Sequence, residues 1–572
     1  MTDSRKGTNA QRPVIYQMLP RLYTNYCPNP IPGAPITKNG CGKLNMITNA
    51  IIRDIASLGV THIWYTGIIE HAHDADYTRY GIRRDNPHIV KGRAGSPYAI
   101  TDYYDIDPDL AEHVPTRMAE FEALVHRTHD ARLKIIIDFV PNHVGRQYHS
   151  DAAPDDIKGL GDDDNKEMFF SPNNNFYYIT RQQFAPQSVN LGEPGTDDAY
   201  IEFPARASGN DCYTAFPSRN DWYDTVKLNY GVDPWNGSKH FRPIPDTWHK
   251  MLDIMMFWAG KGIDGMRCDM AHMVPAEFWN WAIAQVKHRY PHIIFIAEIY
   301  DVALYRQYIH YCGFDYLYDK VTLYDTLRNI VTGSGTSAAA LTGCWQTVDD
   351  IRDHMLHFLE NHDEQRYASP QFAGCAGTVL PALVVSATFD RGSMMIYMGQ
   401  ELGEQALDAE GYSGQDGRTT IFDYWSIEKI RRHLAKGTCR GKLTADEKKL
   451  RQTYTKVLRL CNDNSAVRLG KFFDLMYVNY NNAGINPHYH YAYMRGDDTE
   501  TLFIVCNFSS SDADIKVQIP RAAFDYLHLR PGRYNATEAL SDEKTILDMQ
   551  PDCIVCVHVP AHGATLWQMY AQ

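Results

Sequence analysis

The chain has 572 residues, 44% hydrophobic and 22% charged, with a formal net charge of −13. Such a composition folds throughout, is too long for one core, and excludes disordered and membrane-embedded classes, so two or three domains are expected. The acidic residues are spread along the whole sequence and leave no basic patch, which excludes a nucleic acid partner and favours a neutral ligand.

The opening segment MTDSRKGTNAQRPVIYQ has no apolar region of the kind that directs export, and no run of 18 apolar residues occurs. The expectation is a cytoplasmic protein with no membrane partner. From residue 14 onward, short apolar runs alternate with amphipathic helices, the signature of a parallel sheet built from βα repeats. The runs are VIYQML (14–19), VTHIWY (60–65), LKIIIDF (133–139), GIDGMR (262–267), IIFIAE (293–298), FDYLYD (314–319), MLHFLE (355–360) and SMMIYMG (393–399). A helix over 48–58 precedes the second run, and one with Met118, Phe121 and Val125 on one face precedes the third. The last helix of the set opens with a capping box, Thr444 with Glu447, and carries Leu450, Tyr454, Val457 and Cys461 on one face. Eight such units predict an α/β fold, a (β/α)8 TIM barrel.

Between the third and fourth runs lie residues rich in Asn, Asp, Pro and aromatics, mostly without helical period. Residues 144–230 are therefore expected to form an inserted domain over the barrel mouth, with 1–143 and 231–463 forming the barrel. Its acidic run Asp162, Asp163 and Asp164 is read as solvated loop. From residue 464 the pattern changes to alternating strands, which predicts a C-terminal antiparallel β-sandwich over 464–572. The 12 Cys are scattered, as reduced thiols are, and Cys553 and Cys556 form a CxxC inside the strand-like CIVCVHV, a poor setting for a metal.

Four of the runs end on acidic segments: DFVPNH, GMRCD, FIAE and ENHD. Barrel active sites form at the carboxyl ends of the strands, so these residues are expected at one mouth. Breaking a glycosidic bond needs one carboxylic acid for the leaving oxygen and one carboxylate across the anomeric carbon. Asp269 and Glu298 end neighbouring strands and supply that pair. Arg267, two residues before Asp269, shares its strand face and is expected to keep Asp269 ionised. Glu298 closes an apolar strand, where burial and the neighbouring carboxylate favour the protonated form of an acid.

Taken together, these segments resemble the α-amylase family of glycoside hydrolases, family 13. DFVPNH, GMRCD, the Glu of FIAE and ENHD are similar to its four regions in order, KLN (227–229) to the motif near the end of its inserted domain, and MIYMGQE (395–401) to its eighth strand. Tyr98, four residues before Asp102, matches its sugar-stacking tyrosine. The resemblance implies Asp269 as nucleophile, Glu298 as acid and base, and Asp363 as the residue that grips sugar hydroxyls in the distorted ring. It further implies Tyr98, Asp138, His143, Arg267, His272 and His362 as substrate-binding or constellation-holding residues, an α-glucan oligosaccharide or polysaccharide as substrate, and no cofactor for the chemistry. Asn142 matches a position that often binds calcium in the family. Following Asp269 the chain reads Met270-Ala271-His272-Met273, without the Lys-His pair many endo-acting members carry, and Met270 differs from the valine common in members that cleave α-1,6 branches. The expectation is a retaining hydrolase of α-1,4 bonds in maltooligosaccharides, with an α-glucan transglycosylase as the rival and a non-catalytic binding or scaffold relative as the remote alternative.

Overall fold

The structure is a computed structural model and describes residues 11–154, 156–193 and 195–570; the first ten residues of the opening segment lie outside them. Eight parallel strands close a barrel: β1 (Val14–Met18), β2 (His62–Tyr65), β3 (Lys134–Phe139), β4 (Gly265–Cys268), β5 (Ile294–Ala297), β6 (Tyr316–Tyr318), β7 (Met355–Phe358) and β8 (Ser393–Tyr397). Each falls on one of the eight apolar runs of the sequence, with β4 reaching one residue past the end of its run. Within them only Lys134 is exposed and Ile294 half-buried, because the inner face packs on other strands and the outer face on helices. Register places Arg267 of β4 opposite Asp138 of β3 and Ile296 of β5, so charged groups of neighbouring strands meet in one layer.

The surrounding helices follow their sequence signals. Thr48 caps Asn49–Ala56 by accepting from the Ile51 N–H, and Phe121, Leu124 and Val125 bury one face of Arg117–Asp130. Ala445–Asp463 carries the reciprocal Thr444–Glu447 capping box and buries Tyr454, Val457 and Cys461, while Leu450 stays half-buried.

The chain leaves the barrel after β3 through His143–Gly145, which pairs antiparallel with Thr225–Lys227. That short ladder brings the two ends of the intervening segment together at the mouth. The segment itself is mostly loop around a small core of Ile179, Phe184, Tyr200, Ala205, Ala215 and Tyr223, joined by Ile89 from the loop after β2. Glu202 is buried there between Arg146 (2.7 Å) and Arg206 (2.8 Å).

The C-terminal region adds β9 (Lys471–Asp474), β10 (His490–Gly496), β11 (Glu500–Asn507), β12 (Ala513–Ile519), β13 (Gly532–Glu538), β14 (Lys544–Met549), β15 (Cys553–Val559) and β16 (Gly563–Tyr570). Six form one antiparallel sheet in the order β9-β10-β11-β16-β13-β14, and β12 pairs with β15 in a second. The CxxC lies in β15, where half-buried Cys553 and exposed Cys556 are interleaved with buried Val555 and Val557, the alternation of a strand with one covered face. Among the described residues no helix is long and apolar enough to cross a membrane.

Candidate active site

Arg267 organises the mouth of the barrel. Its side chain is fully buried, with Nη1 2.7 Å from Asp269 Oδ1 and 3.6 Å from Asp138 Oδ1, and Nη2 2.9 Å from Glu298 Oε2. One guanidinium thus touches carboxylates from three adjacent strands, and its planar fork fixes their relative directions. Tyr318 accepts from its Nε at 3.3 Å, and the rings of Trp64, Tyr98 and Tyr318 lie 5.3–5.5 Å from its carbon.

Glu298 collects more donors than Asp269. Beside its ion pair with Arg267, which has no aligned hydrogen bond, it accepts from the Met270 N–H (2.8 Å) and the Tyr300 hydroxyl (2.6 Å). Met270 can aim its N–H there because it adopts a left-handed backbone (φ 43°), an uncommon conformation for a residue with a side chain. Asp269 makes its one side-chain hydrogen bond to Arg267, and its carboxyl is pushed well above the usual range by burial and by the charge of Glu298, against the pull of Arg267. This runs against the sequence expectation that Arg267 keeps Asp269 ionised. The physical reason is that the same guanidinium is shared with Glu298, whose carboxyl lies beside Asp269 in a buried site.

Asp138 accepts from the Trp64 indole N–H (3.0 Å), the Gly67 N–H (3.4 Å) and the Tyr98 hydroxyl (3.3 Å). His362 stacks on Tyr98 (5.2 Å between ring centres), with Nε2 2.6 Å from the Tyr98 hydroxyl and 3.0 Å from Asp363, and Nδ1 2.7 Å from the Gln17 amide. Asp363 is the most open of the carboxylates, its side chain 42% exposed. Burial works against its ionisation, yet His362, Arg267 and Arg418 hold its carboxyl below the usual range. Burial and the cations Lys227 and Lys91 draw His143 down to about 3, so its ring is neutral near neutral pH.

A cavity of about 320 Å³ opens over this constellation. Tyr98, His143, Asp269, Glu298 and Asp363 line it; Asp138, Arg267 and His362 lie buried beside them and position the lining groups. His272 does not line this cavity. It borders an adjoining one of about 370 Å³ with Met273, Lys227 and Tyr230, and its Nδ1 has no hydrogen-bond partner among the described residues. Met270, singled out beside Asp269 in the sequence, lines this cavity; sequence reasoning missed Tyr300, Lys91, Trp222 and Asp224, which also line it. Tyr300 carried a signal, since it stands two residues beyond Glu298; the others come from loops with no periodic pattern.

Asn142 does not fit a calcium ligand. Its Oδ1 accepts from the Lys227 ammonium, its Nδ2 donates to the Gly209 carbonyl (2.7 Å), and Lys227 also contacts Asp211 (2.7 Å) and the Met273 carbonyl (3.2 Å). A buried ammonium surrounded by three oxygens occupies the position a metal would need, and a second cation beside it would be repelled. The expectation of calcium at Asn142 is therefore corrected.

Residues 34–465 match the family described as alpha amylase, catalytic domain. The chain belongs to the α-amylase family. It is 26% identical over 353 residues to "Alpha-amylase MalA" of Haloarcula japonica, covering 61% of this chain and 40% of that protein. It is 32% identical over 207 residues to "Alpha-1,4-glucan:maltose-1-phosphate maltosyltransferase" of Rhodospirillum rubrum, covering 36% of this chain and 27% of that one. Each match thus spans well under two thirds of the curated relative. The fold is similar to that of the α-amylase of Geobacillus thermoleovorans solved with acarbose, with a TM-score of 0.62 and 18% identity over 98% of both chains.

Proposed function

We propose that the chain is a retaining glycoside hydrolase of α-glucosidic bonds, acting on α-1,4 linkages of maltooligosaccharides or related α-glucans. The observation that carries this reading is the pair of carboxyls, Asp269 and Glu298, bound to the two terminal nitrogens of one buried guanidinium. A pair gathered on one guanidinium is compatible with the roughly 5 Å spacing of retaining enzymes rather than the wider gap that holds the water of inversion.

In this reading a glucosyl unit lies over Tyr98, with the neutral ring of His143 and the carboxylate of Asp363 receiving its hydroxyls and His362 fixing Tyr98 and Asp363 from behind. In the reactive complex Glu298 carries the proton of the acid and Asp269 is the carboxylate. Asp269 attacks the anomeric carbon while Glu298 protonates the departing oxygen, which breaks the glycosidic bond and forms an ester. Glu298 then takes a proton from water, whose oxygen attacks the same carbon and frees Asp269. The chain divides in this account at residues 143, 230 and 463, with the short His143–Gly145 ladder holding the inserted part over the cavity.

Relatives with hydrolase and transferase names both match the chain, so transfer to a sugar hydroxyl is the second reading. Incubation with maltooligosaccharides, pullulan, starch, sucrose and trehalose tests both. Only shorter products from maltotriose support hydrolysis, products longer than maltotriose alongside the shorter ones support transfer, and no product from any substrate rejects an α-glucan enzyme.

A further inference from the structure

A second cluster of ionisable groups lies in the hairpin that presents Tyr98. The strand Ile69–His71 pairs antiparallel with Ile100–Ile106, and Tyr98 stands two residues before the latter. Just beyond these strands, His73, Asp107 and Asp109 each offer a ligand atom within 4.8 Å of the others. All three are buried, 3%, 1% and 1% exposed.

The inventory of donors leaves ligand capacity unused at this point. Asp109 accepts one hydroxyl on each oxygen, from Tyr77 (2.7 Å) and Tyr424 (2.6 Å), and each oxygen keeps a further lone pair. Asp107 Oδ1 accepts from the Asp109 N–H at 2.8 Å. Its Oδ2 lies 3.0 Å from His71 Nδ1, but that nitrogen also faces the Ile69 carbonyl at 2.8 Å, and Oδ2 has no aligned hydrogen bond among the described residues. Arg21 can only donate, so its contact with His71 Nε2 fixes the His71 proton on Nδ1 and leaves His71 unable to serve as a ligand. His73 Nδ1 likewise has no partner among the described residues.

We propose that His73, Asp107 and Asp109 form a structural site for a first-row divalent metal ion such as zinc. One imidazole and two carboxylates are a donor set for such an ion and a poor one for calcium, which takes six to eight oxygens. The chief rival occupant is a proton on His73. An imidazolium would leave its Nδ1 N–H without an aligned hydrogen bond among the described residues, whereas a metal ion can take a ring lone pair. The tyrosine hydroxyls on Asp109 and the Arg21–His71 pair beside Asp107 form the supporting shell that ligating carboxylates ordinarily have. The ion would clamp both ends of the hairpin that carries Tyr98, upstream of any chemistry.

The test uses the full chain, stripped with chelator and dialysed against zinc and, separately, cobalt. The expected result is one equivalent of either ion per chain, with cobalt showing visible d–d absorption that zinc abolishes. His73→Gln should lose the bound equivalent or weaken it at least about tenfold. Absence of stoichiometric binding in the wild type overturns the proposal, as does binding that His73→Gln leaves unchanged, which would place the ion on the cysteines. If His73→Gln does not fold, Asp109→Asn replaces it with the same two outcomes. Because the readout is metal content and absorption, failure here leaves the glycosidase reading untouched.

Discussion

Replacing Arg267 with Met would leave Asp269, Glu298 and Asp138 without the one cation that touches all three. The side chain is fully buried, so water cannot take its place, and removing one partner of a buried ion pair costs about 3–5 kcal/mol. The cost should depend on pH. Without the guanidinium the folded carboxyls bind protons more tightly than in the unfolded chain, so the variant's stability is kept at low pH and lost as pH rises through their folded pKa values. Urea unfolding at pH 8 should therefore show the midpoint lowered by about 1 M, taking m as about 3–4 kcal/mol/M for a chain of this size, and at pH 5 the deficit should shrink. A midpoint at pH 8 equal to that of the parent, or a deficit identical at the two pH values, would refute the claim that Arg267 neutralises this pocket.

Glu298→Gln should lose about 10²–10⁴-fold on maltooligosaccharides and far less in the glycosylation step with activated aryl glycosides, because only poor leaving groups need the proton; equal losses would show that Glu298 is not the acid. Added calcium should leave the unfolding midpoint of the parent unchanged, whereas Lys227→Met should lower stability by about 2–4 kcal/mol by orphaning Asn142 Oδ1 and the Met273 carbonyl. Burial alone would draw His357 down, but Asp390 and Asp319 raise its pKa to about 10. His357→Gln should accordingly cost about 3–5 kcal/mol near pH 6, and the difference from the parent should close as pH rises through about 10, since the unfolded group titrates near 6.5; a pH-independent difference in urea midpoint would contradict the ion pair.

The barrel was legible because each strand is a continuous apolar run bounded by polar residues, as in β3 and β5, where burial on both faces removes any need for alternation. Asp269, Glu298 and Asp363 were legible because strand ends deliver them. The loop residues were not: Trp222 and Asp224 reach the cavity from the inserted segment and Lys91 from the loop after β2, by folds that no period encodes. The Asn142 error has the same origin. Lys227 stood in the KLN motif, but only the antiparallel pairing of His143 with Lys227 brings its ammonium to Asn142. The division of donors between Asp269 and Glu298 was not legible either, because Tyr300 and the left-handed Met270 N–H both go to Glu298.

The central claim is that Asp269 forms a covalent bond to the anomeric carbon. Incubating the enzyme with a 5-fluoro-α-glucosyl fluoride, followed by proteolysis and mass spectrometry, tests it directly. The account predicts a single glycosylated peptide with the modification on Asp269, absent from Asp269→Asn. An adduct on another carboxylate, or turnover of natural substrate by Asp269→Asn at a rate near that of the parent, would contradict it.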